Sequence, residues 1–322
     1  MMEQTFPAGS AQRIKIGDVS GNVAVHGWEQ QTIKVESERQ IGKMKEKGDA
    51  LILADCHTLE VWAPLETIIE AGDISGSVSV EGIRRLILKD VGSNVAVENI
   101  GGPVEVKDIG SNVAVSNVRG PLMVSDIGLD LAISEIQGDV KAADVGGNLA
   151  VLNVNGNLAL NDVGLDVVLK SVNGEVALSD LGRGCELREV HGNVTVGDIG
   201  HNIRATDIEG NLQMGDIGTH AHVEGLRGSL NAGSIGANLH LQSLFSPGSD
   251  SRVRVGGNAT VVLPESANLS VRASAGGHVI GPGISSFPGS RVNLVFGEGA
   301  ARLDISVGGN LTLESTDEPR SV

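Results

Sequence analysis

The chain has 322 residues, with 24 Lys and Arg against 40 Asp and Glu and a formal net charge of −16. That balance argues against nucleic acid and anionic membrane surfaces as partners, because both are held by clustered basic side chains. Glycine is abundant at 45 residues, tyrosine is absent, and there are only four Phe and two Trp, so any core must be filled by Val, Ile, Leu and Ala.

The first twelve residues lack a basic segment followed by an apolar run, and no stretch reaches the roughly 20 apolar residues of a spanning helix. The chain as written is therefore expected to be cytoplasmic, without membrane insertion, or cell-surface or secreted if a leader has been removed. From position 11 to 69 the alternation in RIKI, NVAV, TIKV, LIL and LEV predicts strands, interrupted by a charged segment, 36–49, that reads as a polar hairpin tip. Residues 1–72 form an N-terminal β cap on this reading. From Asp73 the chain enters a regular register with a first coil one residue short.

From Lys89 the sequence falls into rows of 18, beginning KDVGSNVAVENIGGPVEV and KDIGSNVAVSNVRGPLMV, and eight rows follow one another without insertion or deletion. Apolar residues within a row are spaced 4, 2, 3, 4, 2, 3, as in Val91, Val95, Val97, Ile100, Val104 and Val106, so the unit is nine residues used twice. The pair two apart marks one face of a strand, and the glycine-containing segment before it turns the chain. The β-branched bias and the missing 3.6-residue period exclude helix. The predicted fold is all-β: one single-stranded β-solenoid (β-helix) of 18-residue coils, with six aliphatic columns. Glycine recurs in two columns, from Gly92 to Gly218 and from Gly102 to Gly228, which are expected to need positive φ or to leave no room for a Cβ.

Regular coils are read over 73–244. After Leu244 the segment FSPGSDS breaks the period, and ATVVLP, NLSVRAS, RVNLVF, RLDISV and NLTLES form a C-terminal β cap over 245–322, within the same continuous solenoid domain. Such caps shield sheet edges that would otherwise recruit other chains. Cys56 and Cys185 are far apart and read as free thiols, with Cys185 at an apolar position of the repeat.

Three surface columns are candidate sites. Asp90, Asp108, Asp126, Asp144, Asp162, Asp180, Asp198 and Asp216 place one carboxylate per coil. Each is read as capping backbone N–H groups at its own turn, with a row of Ca²⁺ ions as the sharper alternative; the calcium-binding nonapeptide pattern is not matched. Asn94, Asn112, Asn148, Asn202 and Asn238 are read as an amide ladder. Ala96, Ala114, Ala132, Ala150 and Val168 form a flat outward strip suited either to sheet curvature or to self-association. His220, His222 and His240 share an outward face, where they are weak candidates for Zn²⁺ or Ni²⁺ against chance placement.

The segments GDVSGNVAVHGWEQQTIKVESER, VGSNVAV, VGGNATVVLPESANLSVRAS and ISVGGNLTLES resemble a bacterial β-strand-repeat family of unknown function labelled adhesin-like, with the head-GIN domain as a cousin. The resemblance implies a β-solenoid fold and supplies no catalytic residue. A more distant resemblance is to bactofilin-type solenoids, which form filaments. No nucleophile, base and orienter come together in the sequence, and no helix follows the glycine runs to make a phosphate loop. The expectation is a non-catalytic, cofactor-free scaffold presenting an acidic surface to a protein partner or to copies of itself. A small-molecule ligand is not expected, and a filament former or a Ca²⁺- or carbohydrate-binding repeat protein are the alternatives.

Overall fold

The structure, a computed structural model, describes residues 2–8, 12–285, 287–315 and 320–321. Its described residues form strands and turns with no helix, and they group into two compact units, 1–157 and 158–322. Each unit is a β-solenoid whose coils contribute one strand to a front sheet and one to a back sheet.

In the first unit the front strands Val95–Ile100, Val113–Val118, Leu131–Ile136 and Leu149–Val154 pair in parallel, each residue facing the one 18 positions on. The back strands Arg85–Val91, Val104–Ile109, Leu122–Ile127 and Val140–Val145 do the same. The coil before them is shorter: Val78 pairs with Val95 and Ile68 with Arg85, an offset of 17. In the second unit Val167–Val172, Cys185–Val190, Ile203–Ile208 and Ala221–Leu226 build the front sheet, and Leu158–Val163, Val176–Leu181, Val194–Val196 and Leu212–Met214 the back.

A strand such as Val95–Ile100 buries its first, third and sixth residues and exposes the other three. Plain alternation would point the fifth inward. The fifth instead adopts left-handed backbone, with φ between 51° and 59° at Asn99, Asn117, Glu135 and Asn153 in front and at Asp90, Asp108, Asp126 and Asp144 behind. This single residue bends the strand and turns the sixth side chain into the core, which explains the spacing of three in the sequence. Asp and Asn tolerate this region better than other non-glycine residues, so the backbone bend itself accounts for their recurrence. Valine, isoleucine and leucine fill most positions of the six columns at no more than a few per cent exposure, for example Val91, Val95, Val97, Ile100, Val104 and Val106, with Ala142, Cys185, Ala205, Met214 and Ala221 among the exceptions. Burying each such side chain is worth about 1.5–3 kcal/mol, so the repeat needs no disulfide or metal to pack. Cys56 and Cys185 are free and buried.

The two glycine columns do not carry the bend. None of Gly92 to Gly218 has positive φ, and the reason for glycine there is space: a Cβ on Gly110 would lie 2.6 Å from the Gly92 carbonyl oxygen one coil below. Of the two expected reasons, lack of room for a Cβ holds and positive φ does not: from Asp90 to Asp180 the left-handed residue is the Asp two positions before the glycine.

Both ends depart from sequence order in the same way. In the first unit the opening coil, Arg13–Val19 and Val23–Trp28, does not lie outermost. It sits between the coil of Ala50–Cys56 and Leu59–Pro64 on one side and the coil of Ile68–Ala71 and Val78–Glu81 on the other. Antiparallel strands then cover the edge, Lys43–Lys47 on the back sheet and Thr32–Ser37 followed by Met2–Pro7 on the front. The charged segment 36–49 is therefore not one hairpin tip. Its beginning ends a front strand, and its remainder forms the outer arm of a hairpin that turns at Gly48 with φ 63°.

In the second unit the last coil, Ala301–Val307 and Leu311–Glu314, inserts between the coil of Asp250–Val255 and Ala259–Val262 and the coil of Leu269–Ala275 and Val279–Gly281. Antiparallel Arg291–Phe296 and Arg320–Ser321 close the back sheet, and Ile284–Ser285 closes the front. An edge already paired with an antiparallel strand, one of them the charged Lys43–Lys47, is a poor template for another chain.

Candidate functional site

Because the core columns face inward, every candidate site lies on the outward rows of the two sheets or at the corners between them. The Asp column marks one corner. In the first unit Asp90, Asp108, Asp126 and Asp144 stand at the left-handed bend, and the first three carboxylates face lysines: Lys89 Nζ is 3.7 Å from Asp90, and Lys107 Nζ lies 3.9 Å from Asp108 and 3.7 Å from Asp126. In the second unit Asp162 and Asp180 keep the bend, whereas Asp198 and Asp216 do not. Those two follow Gly197 and Gly215, where the strands shorten to Val194–Val196 and Leu212–Met214. There the Asp198 carboxylate accepts the N–H of Asp216, and the Asp216 carboxylate that of Ser234, both at 2.8 Å. Where capping occurs it therefore reaches the next coil, not the aspartate's own turn. Asp162, Asp180, Asp198 and Asp216 line an open groove of about 580 Å³.

The asparagine column is an amide ladder. Asn94 Oδ1 accepts both the backbone N–H and the side-chain amide of Asn112 at 3.2 Å, Asn112 accepts the N–H of Asp130 at 3.1 Å, and Asp130 that of Asn148 at 2.7 Å. The second unit repeats the contact between Asn202 and His220 at 3.2 Å and between Asn238 and Asn258 at 3.0 Å. Each rung satisfies a turn N–H that the strand ladder leaves over.

Ala96, Ala114, Ala132 and Ala150 are consecutive Cα partners on the front sheet of the first unit, and all four are exposed. Ser116 and Ser134 run beside the middle of the strip, and Glu98 and the exposed Leu152 beside its ends. Val168 belongs to the second unit, where it is 44% exposed and pairs with Glu186, and there the flat character ends.

His222 and His240 are Cα partners on the front sheet of the second unit, with rings stacked 4.7 Å apart at 12°. His222 Nε2 also lies 3.4 Å from Glu224. His220 precedes the strand and is engaged through its backbone in the asparagine ladder. Among the described residues no three His, Cys, Asp or Glu side chains stand in metal-holding geometry, so neither the histidines nor the Asp column form such a group.

Two surface clusters lie outside the repeat and escaped the periodic reading. On the N-terminal cap, strand pairing lines up Lys34, Trp62, His26 and Glu81 across four strands. The Lys34 ammonium lies 4.7 Å over the Trp62 ring, His26 stacks on the same ring at 5.5 Å, and His26 Nδ1 is 2.7 Å from Glu81. The hydrogen bond from Lys34 to Glu36 holds the lysine pKa above its ordinary value. On the C-terminal cap, Arg252, Arg254, Arg272 and Arg291 border a groove of about 690 Å³ on the back sheet. Neither cluster has a period, and each is assembled by strands far apart in sequence.

No family model and no curated protein matches the chain. A Clostridium sporogenes structure described as a "putative cell adhesion protein" aligns over 98% of this chain and 99% of that one, at 11% identity and a TM-score of 0.16. A score that low carries no argument, and the assignment of both units to the β-solenoid class rests on the strand register alone. Among the described residues no helix is long and apolar enough to cross a membrane.

Proposed function

We propose that the protein is a non-catalytic interaction scaffold that docks a protein partner or a second copy of itself along the front sheet of its first unit. The observation carrying this reading is the exposed row Ala96, Ala114, Ala132 and Ala150 in unbroken register. A solenoid repeats each outward residue type once per coil, so its surface chemistry runs in lines instead of converging on a point, and lines suit an extended partner better than a reaction centre. Small side chains let a second sheet approach closely, and the neighbouring serines offer polar contacts at the margin. The acidic balance of the chain would favour a basic partner and speed its encounter.

Filament growth through the ends, as in bactofilin-type solenoids, is disfavoured by the antiparallel strands that cover the described edges of both caps. Light scattering coupled to size-exclusion chromatography over a hundredfold range of concentration, with the A114K/A132K variant alongside, tests self-association. Concentration-dependent dimers abolished by the two lysines support it. A wild-type monomer throughout removes self-association and leaves only the partner reading, which requires a captured protein that the variant fails to hold.

A further inference from the structure

The back sheet of the C-terminal cap concentrates positive charge on a chain whose formal balance is −16. Strand pairing sets the geometry. Along one outward row Arg252 faces Asp304, Asp304 faces Arg272, and Arg272 faces Asn293. Along the next row Arg254 faces Ser306, Ser306 faces Ser274, and Ser274 faces Arg291. The carboxylates nearby are already engaged within their own strands, Asp250 with Arg252 at 3.2 Å and Asp304 with Arg302 at 2.9 Å. Arg254, Arg272 and Arg291 are exposed, and among the described residues none of their guanidinium groups has an ion pair or hydrogen bond. Three strand spacings of about 4.8 Å separate the outer two arginines, so Arg254 and Arg291 stand about 14 Å apart with Arg272 between them. Ser274 donates a 3.1 Å hydrogen bond to Ser306 in the middle of the groove.

Three unpartnered guanidinium groups converging on one groove are attractive to anions and repel one another, so occupation by negative groups relieves the site. The spacing calls for several negative charges along one chain, because a single small anion cannot reach from Arg254 to Arg291. Besides Arg252 and Asp304, each already ion-paired within its own strand, the remaining polar lining consists of hydroxyl and amide groups such as Ser274, Ser306, Asn231 and Asn293, which match the hydroxyl-rich backbone of a sugar polymer. The groove contains no aromatic side chain of the kind that neutral sugars and nucleic-acid bases stack on. We propose that this groove binds an acidic polysaccharide, its carboxylates held by Arg254, Arg272 and Arg291. The site is separate from the alanine strip and does not depend on the scaffold reading.

Isothermal titration calorimetry of the full chain with polygalacturonate, with neutral dextran and poly-L-glutamate as comparison ligands, tests the assignment. Saturable binding to polygalacturonate that weakens with salt is expected, together with no binding to dextran and a loss of at least about 100-fold in the R254S/R272S/R291S variant. An R183S/R188S/R227S variant, matched in charge and placed elsewhere in the second unit, should bind as the wild type does. Since all six arginines are exposed, thermal melts of both variants should coincide with that of the wild type. Absence of polygalacturonate binding, equal binding by the groove variant, or equal loss in the control variant overturns the proposal. Tighter binding of poly-L-glutamate also overturns it, and assigns the groove to an acidic protein segment.

Discussion

Asn258 and Asn310 are 52 positions apart in the chain, yet the Asn258 side-chain oxygen accepts the Asn310 backbone N–H at 2.9 Å. Asn238 serves Asn258 in the same way, and Asn310 serves His278, so the ladder runs through the last coil before it reaches the one preceding it in sequence.

Removal of residues 300–322 should therefore open a gap between two coils instead of trimming an end. Leu303, Ile305, Val307, Leu311 and Leu313 would leave the core, and both neighbouring coils would lose their partner. Hydrogen exchange is expected to show lost protection in Leu269–Ala275 and in Asp250–Val255 together. Protection retained in Leu269–Ala275 would mean that this coil is held by something other than the inserted one.

The aspartate column makes a backbone prediction. At Asp126, where φ is 58°, Asn or Gly should be nearly neutral, whereas Val should destabilise by about 1–2 kcal/mol because its branched Cβ clashes in the left-handed region. Urea denaturation midpoints compare the three. Equal loss in D126N and D126V would instead assign the importance of Asp126 to its carboxylate.

Two glycines should fail for different reasons. Gly110→Ala drives a Cβ to 2.6 Å from the Gly92 carbonyl oxygen and is expected to cost about 1–3 kcal/mol, as overpacking does. Gly48 has open space around it but a φ of 63°, so Gly48→Ala should cost only about 1 kcal/mol, and Gly48→Asn less. Thermal melts of the variants give the order, and a G48A loss exceeding that of G110A would contradict it.

Cys185 is buried among aliphatic side chains, and burial holds its thiol pKa far above the ordinary value of 9.0. The folded state keeps this proton where the unfolded chain releases it. The contribution to stability is therefore complete below about pH 9 and declines as pH rises beyond it, by up to 1.4 kcal/mol per pH unit. Native protein should resist alkylation at this position at pH 8.5, and Cys185→Val should flatten the fall in stability between pH 9 and 10.5. An identical alkaline slope in the variant would place the titration elsewhere.

The period in the sequence already specified the coil: inward positions, turn glycines and the asparagine ladder all follow from residues that interact with their equivalents 18 positions away. The spacing of three between Val97 and Ile100 is also legible, but its cause, a left-handed residue at Asn99, is not. Asp and Asn reach that conformation less often than glycine does in general, and only the backbone reveals which residue carries it. Strand order at the ends had no local signal. The first coil pairs with the third, and the last inserts behind an earlier one, through contacts 30 to 60 residues apart that no short window of sequence contains. The arginine groove is a product of those returns. Arg254, Arg272 and Arg291 lie on three separate strands, 18 and 19 residues apart, yet they are not stacked equivalents: the inserted last coil sets Arg254 against Ser306 and Arg272 against Asp304, and tertiary pairing brings Ser306 and Ser274 between Arg254 and Arg291.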